Sequence, residues 1–207
     1  MSIRKVTLID YGMGNLGSLR RSLEECEAEV TTLEDPRELK TAPKIILPGV
    51  GAFGDGMKNL RERGWLEAID SAVRDYKVPM LGICLGMQMM ASKGFEGEEC
   101  SGLNLIPGEV KRLLPRATER IPHVGWNEMQ QAVAHPLFEK IPNHSDFYFV
   151  HSYHFIPENS AHVLAKTPYC GEFVSCVGHE NVLGVQFHPE KSSKAGFQLL
   201  RNFLALC

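Results

Sequence analysis

The chain has 207 residues, of which 43% are hydrophobic and 23% are charged, and its formal net charge is −3. This size and composition predict one globular domain over residues 1–207, and the slightly negative charge without a long Lys/Arg run argues against nucleic-acid binding. No apolar stretch reaches the ~20 residues needed to cross a membrane, and six cysteines without a CxxC pair indicate reduced thiols in the cytoplasm rather than disulfides or a zinc site.

The first half of the chain alternates apolar runs with apolar residues at helical spacing. Strands are predicted at residues 5–10, 29–33, 44–47 and 78–83. Helical spacing is seen at Leu16, Leu19, Leu23 and Cys26, and again at Leu66, Ile69, Val73 and Tyr76. This βαβα order predicts an α/β fold whose central sheet is mostly parallel and flanked by helices. The N-terminal residues are expected to form the first strand rather than a signal peptide.

The pattern changes after Gly94. Residues 95–145 are rich in Glu, Gly, Pro and Arg, with only short apolar runs such as 108–114. Additional strands, expected to pair antiparallel, are predicted at residues 147–155, 162–166, 172–177 and 182–187. A closing helix is predicted from the apolar residues Phe197, Leu200, Phe203, Leu204 and Cys207, with Ser192 or Ser193 as its N-cap.

The sequence Gly-Ile-Cys-Leu-Gly at residues 82–86 has the pattern of a nucleophile elbow. It joins the apolar run 78–83 to the apolar stretch 85–91, so a strand is expected to turn sharply into a helix at Cys84. Flanking glycines permit such a turn and let a substrate approach the backbone. The free N–H groups and the dipole of the helix would favour an oxyanion and a thiolate. Taken alone, such a cysteine is more often a small buried hydrophobic residue.

A histidine and a carboxylate follow the last predicted strand. His188-Pro189-Glu190 comes directly after the run 182–187, and Pro189 favours an extended segment in which His188 and Glu190 point to the same side. Together with Cys84 they predict a Cys-His-Glu triad. His188 would take the thiol proton or pair with the thiolate, and Glu190 would orient the imidazole.

The turn Gly49-Val50-Gly51 is expected to complete this site. It follows another parallel strand at the same carboxyl edge of the sheet, so its N–H groups and that of Leu85 could form an oxyanion hole. Gln88 lies one helical turn after Cys84, where its carboxamide could hold a polar substrate. These residues specify acyl transfer through a thioester without naming the acyl donor.

Two other functions remain open on the residues alone. Residues 12–17 form a literal GxGxxG after the first strand, with Glu34 and Asp35 about 20 residues further on. This pattern is typical of dinucleotide binding and would make the chain an NAD-dependent oxidoreductase. The second alternative is a triad hydrolase or peptidase of similar fold.

Several motifs together resemble the class I (triad) glutamine amidotransferases. The three family signatures are matched at residues 48–51 (Pro-Gly-Val-Gly), 82–88 (Gly-Ile-Cys-Leu-Gly-Met-Gln) and 188–190 (His-Pro-Glu). The closest resemblance is to the glutaminase subunits of imidazole glycerol phosphate synthases, through residues 54–57, 122–127, 148–153 and 188–193. The resemblance covers nearly the whole chain and implies a flavodoxin-like amidotransferase fold.

The resemblance implies that L-glutamine is hydrolysed at Cys84 and that the ammonia passes, shielded from solvent, to a cyclase subunit with a (β/α)8 barrel. In this heterodimer, the partner would convert a phosphorylated ribulosyl aminoimidazole carboxamide into imidazole glycerol phosphate and AICAR in histidine biosynthesis. The resemblance also implies that the Val50 N–H must turn toward the oxyanion and that the partner's ligand favours this state. The subunit alone should therefore hydrolyse almost no glutamine, because its oxyanion hole is incomplete.

Further roles follow from the same resemblance. Glutamine binding is expected at Gly49, Gly51, Gln88, His151, Ser152 and Tyr153. The partner interface is expected to include Asn15, Trp126, Asn127, Tyr148 and Lys191, although Trp126 and Tyr148 could equally pack in the core. The basic residues Lys111, Arg112, Arg116 and Arg120 could join the interface or simply be solvated. No cofactor and no metal are expected, because His151 and His154 lie three apart in one predicted strand and should face opposite ways.

Overall fold

Alternating strands and helices build the first half of the structure, a computed structural model that describes residues 4–116 and 118–206. These elements are β1 (Arg4–Ile9), α1 (Leu16–Glu25), β2 (Ala28–Leu33), β3 (Ile45–Leu47), α2 (Phe53–Glu62), α3 (Trp65–Arg74), β4 (Met80–Ile83) and α4 (Leu85–Met89). The four predicted strands and the helices at the two predicted places are confirmed. Helix α2 was not predicted; its sequence contains two glycines, which lower its helix propensity.

Strands dominate the second half. They are β5 (Lys93–Gly94), β6 (Cys100–Ser101), β7 (Gly108–Arg112), β8 (His123–Gln131), β9 (Ser145–His151), β10 (Tyr153–Pro157), β11 (Val163–Thr167), β12 (Phe173–His179) and β13 (Val182–Val185), followed by α5 (Ser193–Ala205). Cys207, which the sequence placed in the last helix, lies outside the described residues.

Two sheets are present within residues 4–116 and 118–206. The larger has nine strands in the order β2-β1-β3-β4-β13-β12-β11-β8-β9, and the smaller has four in the order β10-β7-β5-β6. The strands from β2 to β13 pair parallel, whereas β12, β11, β8 and β9 extend the large sheet by antiparallel pairs. The predicted α/β class, with a parallel centre and antiparallel additions, is confirmed.

The centre of the sheet explains where a site can form. All side chains of β4 and β13 are buried, as expected for parallel strands covered on both faces by helices. Strands β1, β3, β4 and β13 are parallel, so the segments that follow them emerge at one edge. Residue Tyr11, the turn 48–51, Cys84 and the segment 186–190 therefore meet there.

Three sequence predictions are wrong in detail. The single strand predicted at 147–155 is two strands, β9 and β10, which break at Ser152 and belong to different sheets. Strand β8 was missed because most of its side chains are only partly buried, so it lacks an apolar run. Tyr76 is not part of α3, which ends at Arg74, and its side chain is exposed.

The start of α5 differs from the expected capping. Ser192 does precede the helix, but its hydroxyl makes no capping bond to it. Instead Ser192 Oγ donates to His188 O at 2.6 Å and accepts from Tyr148 N–H at 3.0 Å. The serine therefore joins strand β9 to the segment that carries the predicted catalytic histidine.

Gly86→Ala tests the close approach of α4 to β3. A Cβ at this position would lie 1.9 Å from Leu47 O, so the helix must move away from the strand end. We expect a loss of about 2–4 kcal/mol in the free energy of unfolding, measured by urea denaturation. Gly54→Ala is the matched control, because a Cβ there meets nothing within 4 Å. An equally stable Gly86→Ala chain would contradict this packing.

Candidate active site

Cys84 lies at the turn between β4 and α4, with φ 54° and ψ −110°. This left-handed backbone conformation is uncommon for a residue with a side chain and is typical of a strained functional turn. The turn brings α4 against the end of β3, where only glycine fits at residue 86. The thiol is 7% exposed, 3.8 Å from Val150 O and 3.7 Å from Gln186 Nε2.

His188 and Glu190 lie beside Cys84, on the segment that leaves β13. His188 Nδ1 is 2.9 Å from Glu190 Oε1, and the two side chains expose only 5% and 4% of their surface. His188 and Cys84 line the same cavity, and their interaction contributes to the raised pKa of the imidazole. Its main chain is held twice, because His188 N–H donates to Tyr148 O at 2.9 Å and Ser192 Oγ donates to His188 O. The structure therefore brings the three predicted triad residues together.

The electrostatics of this group favour a charged imidazole. Burial by itself lowers the pKa of His188, but hydrogen bonds and charge interactions with Cys84 and Glu190 outweigh it and raise that pKa to about 10. His188 is therefore protonated at neutral pH. An imidazolium next to a cysteine stabilises the thiolate, which is the nucleophilic form.

A cavity of about 290 Å³ opens above Cys84. Its walls contain eight of the residues predicted from the sequence besides the two triad members that line it: Val50, Gly51, Leu85, Gln88, His151, Ser152, Tyr153 and Lys191. Gly49 is buried behind the wall, against Leu85 and the Tyr11 phenol. Glu96, Pro122 and Val150 also line the cavity and were not predicted.

Gln88 is buried on α4 and is held by two acceptors. Its Nε2 donates to Tyr153 O at 2.9 Å and to Gln186 Oε1 at 2.9 Å. Gln186, fully buried, points its own Nε2 to the Cys84 sulfur. Sequence reasoning missed Gln186, although a polar residue inside the apolar run 182–187 was the available signal.

Glu96 brings a carboxylate to the cavity wall. Its Oε2 accepts the Phe53 N–H at 2.8 Å, which fixes the side chain to the start of α2. The residue lies in the Glu- and Gly-rich connection between β5 and β6. No local pattern distinguishes it from the neighbouring acidic residues, so the sequence alone did not single it out.

His151 fixes the backbone of the segment that follows it. Its Nδ1 is 2.8 Å from Tyr153 O, and its Nε2 is 3.0 Å from His123 Nδ1. Burial lowers the pKa of His151 to about 3 and that of His123 to about 4, so both rings are neutral. His154 lies on a different strand from His151. In the part of the chain that the structure describes, no group of three metal-ligating side chains is close enough to hold a metal ion.

The sequence of this chain matches a known enzyme family. The sequence model of the family described as glutamine amidotransferase class-I matches residues 7–207. The chain belongs to the class I glutamine amidotransferases. A similar protein, the imidazole glycerol phosphate synthase subunit HisH of Moorella thermoacetica, is 47% identical over 97% of this chain and 94% of that protein. HisH of Natronomonas pharaonis is 45% identical over 98% of this chain and 95% of its own length.

Solved structures agree with this amidotransferase fold. A crystal structure of a glutamine amidotransferase superposes with a TM-score of 0.75 at 20% identity, covering 96% of both chains. The structure of PurLQS from Thermotoga maritima gives 0.74 at 18% identity, covering 98% of both. At these identities the likeness shows the fold alone.

The family assignment supports the amidotransferase function over both alternatives. In the glycine-rich turn 12–17, Asn15 Oδ1 accepts the Ser18 N–H at 3.3 Å and so caps α1. Asp35, the acid expected to bind a ribose, is engaged by the Arg37 guanidinium and by the Arg37 N–H at 2.9 Å. In this structure the turn forms a capped strand-to-helix connection, and the dinucleotide alternative has no support from the family match.

Of the residues predicted for a partner interface, Lys191 lines the amidotransferase cavity, whereas Trp126 and Asn127 lie on strand β8 and Tyr148 on the adjoining strand β9. Trp126 is 54% exposed, so it does not pack in the core, and its ring meets Tyr148 edge-on at 6.0 Å. Lys191 Nζ lies 5.9 Å from the Tyr148 ring centre. Asn127 Nδ2 donates to Pro168 O at 3.1 Å. No helix among the described residues is long and apolar enough to cross a membrane.

His188→Gln tests the charge of the imidazole through stability. Because the pKa of His188 is raised from 6.5 to about 10 on folding, its charged form stabilises the folded chain fully below about pH 6.5. That contribution is lost as the pH rises toward 10. We expect the parent chain's advantage over His188→Gln in urea midpoint to shrink across this range. His179→Gln, at an exposed histidine, is the control, and an advantage that stays flat or grows with pH would contradict the assignment.

Proposed function

We propose that this chain hydrolyses L-glutamine to glutamate and ammonia, as the glutaminase subunit of an imidazole glycerol phosphate synthase. The observation that carries the proposal is Cys84 on a strained turn, in the wall of a cavity that it shares with a charged and buried His188. The names of the HisH relatives supply the biosynthetic context.

The first half of the reaction forms a thioester. The Cys84 thiolate attacks the side-chain amide carbon of glutamine, and the carbonyl oxygen becomes an oxyanion. The N–H of Leu85 and, once its peptide has turned, that of Val50 would stabilise it; both residues line the cavity wall. When the tetrahedral intermediate collapses, the C–N bond breaks and the His188 imidazolium gives its proton to the leaving nitrogen. Ammonia departs and the glutamyl group stays on the sulfur.

The second half regenerates the enzyme. His188, now neutral, accepts a proton from a water molecule whose oxygen attacks the thioester carbon. The C–S bond breaks, glutamate is released, and the thiolate–imidazolium pair is restored. Glu190 holds His188 through Nδ1 during both steps, so the other ring nitrogen stays directed toward Cys84.

The far end of the cavity suits a free amino acid. The Glu96 carboxylate can pair with the α-ammonium of glutamine, and it is fixed in place by the Phe53 N–H. Ser152 and Tyr153 also line the wall, and the Tyr153 carbonyl accepts hydrogen bonds from His151 and Gln88. Gly51 and Gln88 are the other cavity residues predicted to bind glutamine. Gly49, also predicted, is buried behind the cavity wall.

The partner is proposed to be a cyclase subunit with a (β/α)8 barrel that receives the ammonia. Exposed apolar side chains occur in the cavity wall, with Val50 at 43% and Val150 at 38%, and on strand β8, where Val124 at 57% pairs with Val150 and Trp126 at 54% pairs with Tyr148. An exposed apolar patch of this kind is typical of a protein interface. Covering it would shield the ammonia from solvent on its way to the cyclase, which makes imidazole glycerol phosphate and AICAR in histidine biosynthesis.

The proposed interface also contacts the triad. The Tyr148 ring lies beneath the Lys191 ammonium group, and the Tyr148 carbonyl accepts the His188 N–H. Asn15 is exposed and lines a small pocket together with Pro48 and Glu190. Docking of a ligand-bound partner against these residues would therefore change the positions of His188 and of the oxyanion turn at residues 48–51.

Glutamate release from glutamine tests the function, with Cys84→Ala as the inactive variant. The chain is assayed alone, with the cyclase subunit, and with the cyclase and its ligand. We expect strong stimulation by the liganded partner, because the partner favours the oxyanion state, and a loss of at least about 10³-fold in Cys84→Ala. Cys100→Ala is the matched control, since Cys100 lies outside the cavity. Turnover that survives in Cys84→Ala would contradict the thioester mechanism.

Trp126→Ala tests the proposed interface. Removal of a large exposed aromatic residue from the centre of an interface commonly weakens binding by about 10- to 30-fold. We expect a loss of this size in affinity for the cyclase subunit, measured by calorimetric titration. Val133→Ala changes a similarly exposed side chain, 47% accessible, away from the cavity mouth. Equal affinities of the two variants would place the interface elsewhere.

A further inference from the structure

Tyr11 is a buried polar residue that the proposed mechanism does not use. It follows β1 at the carboxyl edge of the sheet and is 0% exposed. Its phenol donates a hydrogen bond of 2.9 Å to Pro48 O. That carbonyl belongs to the peptide group joining Pro48 to Gly49, so the bond fixes the first peptide of the proposed oxyanion turn.

Gly49 is clamped between the phenol and the nucleophile elbow. A Cβ at Gly49 would lie 2.7 Å from Tyr11 Oη, 2.8 Å from Leu85 Cβ and 3.0 Å from Gly86 N. The turn therefore touches the phenol on one side and the residues after Cys84 on the other. A residue with a side chain would not fit at position 49.

The second half of the turn is in a different environment. Pro48 and Gly49 are buried, whereas Val50 and Gly51 are exposed. Gly51 has φ +112°, a conformation that glycine adopts without strain. The boundary between the held and the open part of the turn falls at the peptide joining Gly49 to Val50.

We propose that Tyr11 is a positioning residue for the oxyanion hole. Its hydrogen bond holds the Pro48–Gly49 peptide, so that only the Gly49–Val50 peptide turns when the Val50 N–H comes to face the reacting carbonyl. This inference rests on the proposed glutaminase function. It adds a residue that acts on the geometry of the turn without touching the substrate.

The surroundings of Tyr11 suit a permanent donor. Burial, and next to it the charge of Cys84, raise the pKa of the phenol, so it keeps its proton at neutral pH. The main chain of Tyr11 is held from α2, because Asn59 Nδ2 donates to Tyr11 O at 3.2 Å. The phenol is thus fixed from behind.

Tyr11→Phe, assayed in the complex with the liganded cyclase, removes this donor. We expect kcat for glutamine hydrolysis to fall about 10- to 100-fold, as when an oxyanion donor is misplaced, while KM changes less than about twofold. Alkylation of Cys84 by iodoacetamide should keep its parental rate, because displacement at a saturated carbon forms no oxyanion. Tyr76→Phe, at an exposed tyrosine, is the control and should change neither rate.

Rescue separates the hydrogen bond from the shape of the ring. With p-aminophenylalanine at position 11, an N–H replaces the phenol donor and kcat should return to within about threefold of the parent. Equal losses of hydrolysis and alkylation, or no loss of hydrolysis, would overturn the inference. If Tyr11→Phe fails to fold, the p-aminophenylalanine variant decides alone. A folded p-aminophenylalanine variant whose kcat for glutamine hydrolysis is still about 10- to 100-fold below the parent would also overturn the inference. A parent complex without turnover would overturn the proposed function and this inference together.

Discussion

The approach of α4 to the end of β3 is the constraint on which the site depends. Only the missing side chain of Gly86 lets the helix lie against Leu47 O, and this contact sets the position of Cys84 relative to the turn at 48–51. A nucleophile and an oxyanion donor must be placed to within a fraction of an ångström to work together. Here the distance is fixed by backbone packed on backbone, which is stiffer than any contact between long side chains.

The second requirement of the site is a charged imidazole at His188. His188 is buried, and burial alone would keep it neutral, yet Cys84 and Glu190 raise its pKa far enough to keep it charged at neutral pH. The same imidazolium is then available to protonate the leaving ammonia. The nearby pair His123 and His151 shows the opposite outcome, because no carboxylate touches either ring among the hydrogen bonds of the described residues and burial lowers both pKa values.

The sequence predicted the parallel half of the fold well, because buried parallel strands are continuous apolar runs and each is followed by a motif at the same edge of the sheet. It failed where that signal is absent. Strand β8 carries Trp126 on an exposed surface, so its apolar residues do not mark the core. The break at Ser152 lies inside an aromatic run whose alternation continues through it.

Some residues of the candidate site could be identified from sequence motifs, and others only from the structure. Cys84, His188 and Glu190 follow strands and have recognisable spacing, so they could be found without a structure. Glu96 could not, because it enters the cavity from an irregular connection and is selected only by its contact with Phe53 N–H. Tyr11 has no motif of its own either. Its importance comes from a hydrogen bond across 37 residues of sequence.

The most direct test of the account is mass spectrometry of the chain quenched in acid during glutamine turnover in the complex. The account predicts a glutamyl adduct on the peptide that contains Cys84, formed with glutamine, absent with glutamate, and absent in Cys84→Ala. Sustained turnover with no adduct when the quench is fast enough to trap a thioester, or an adduct on a different cysteine, would contradict it.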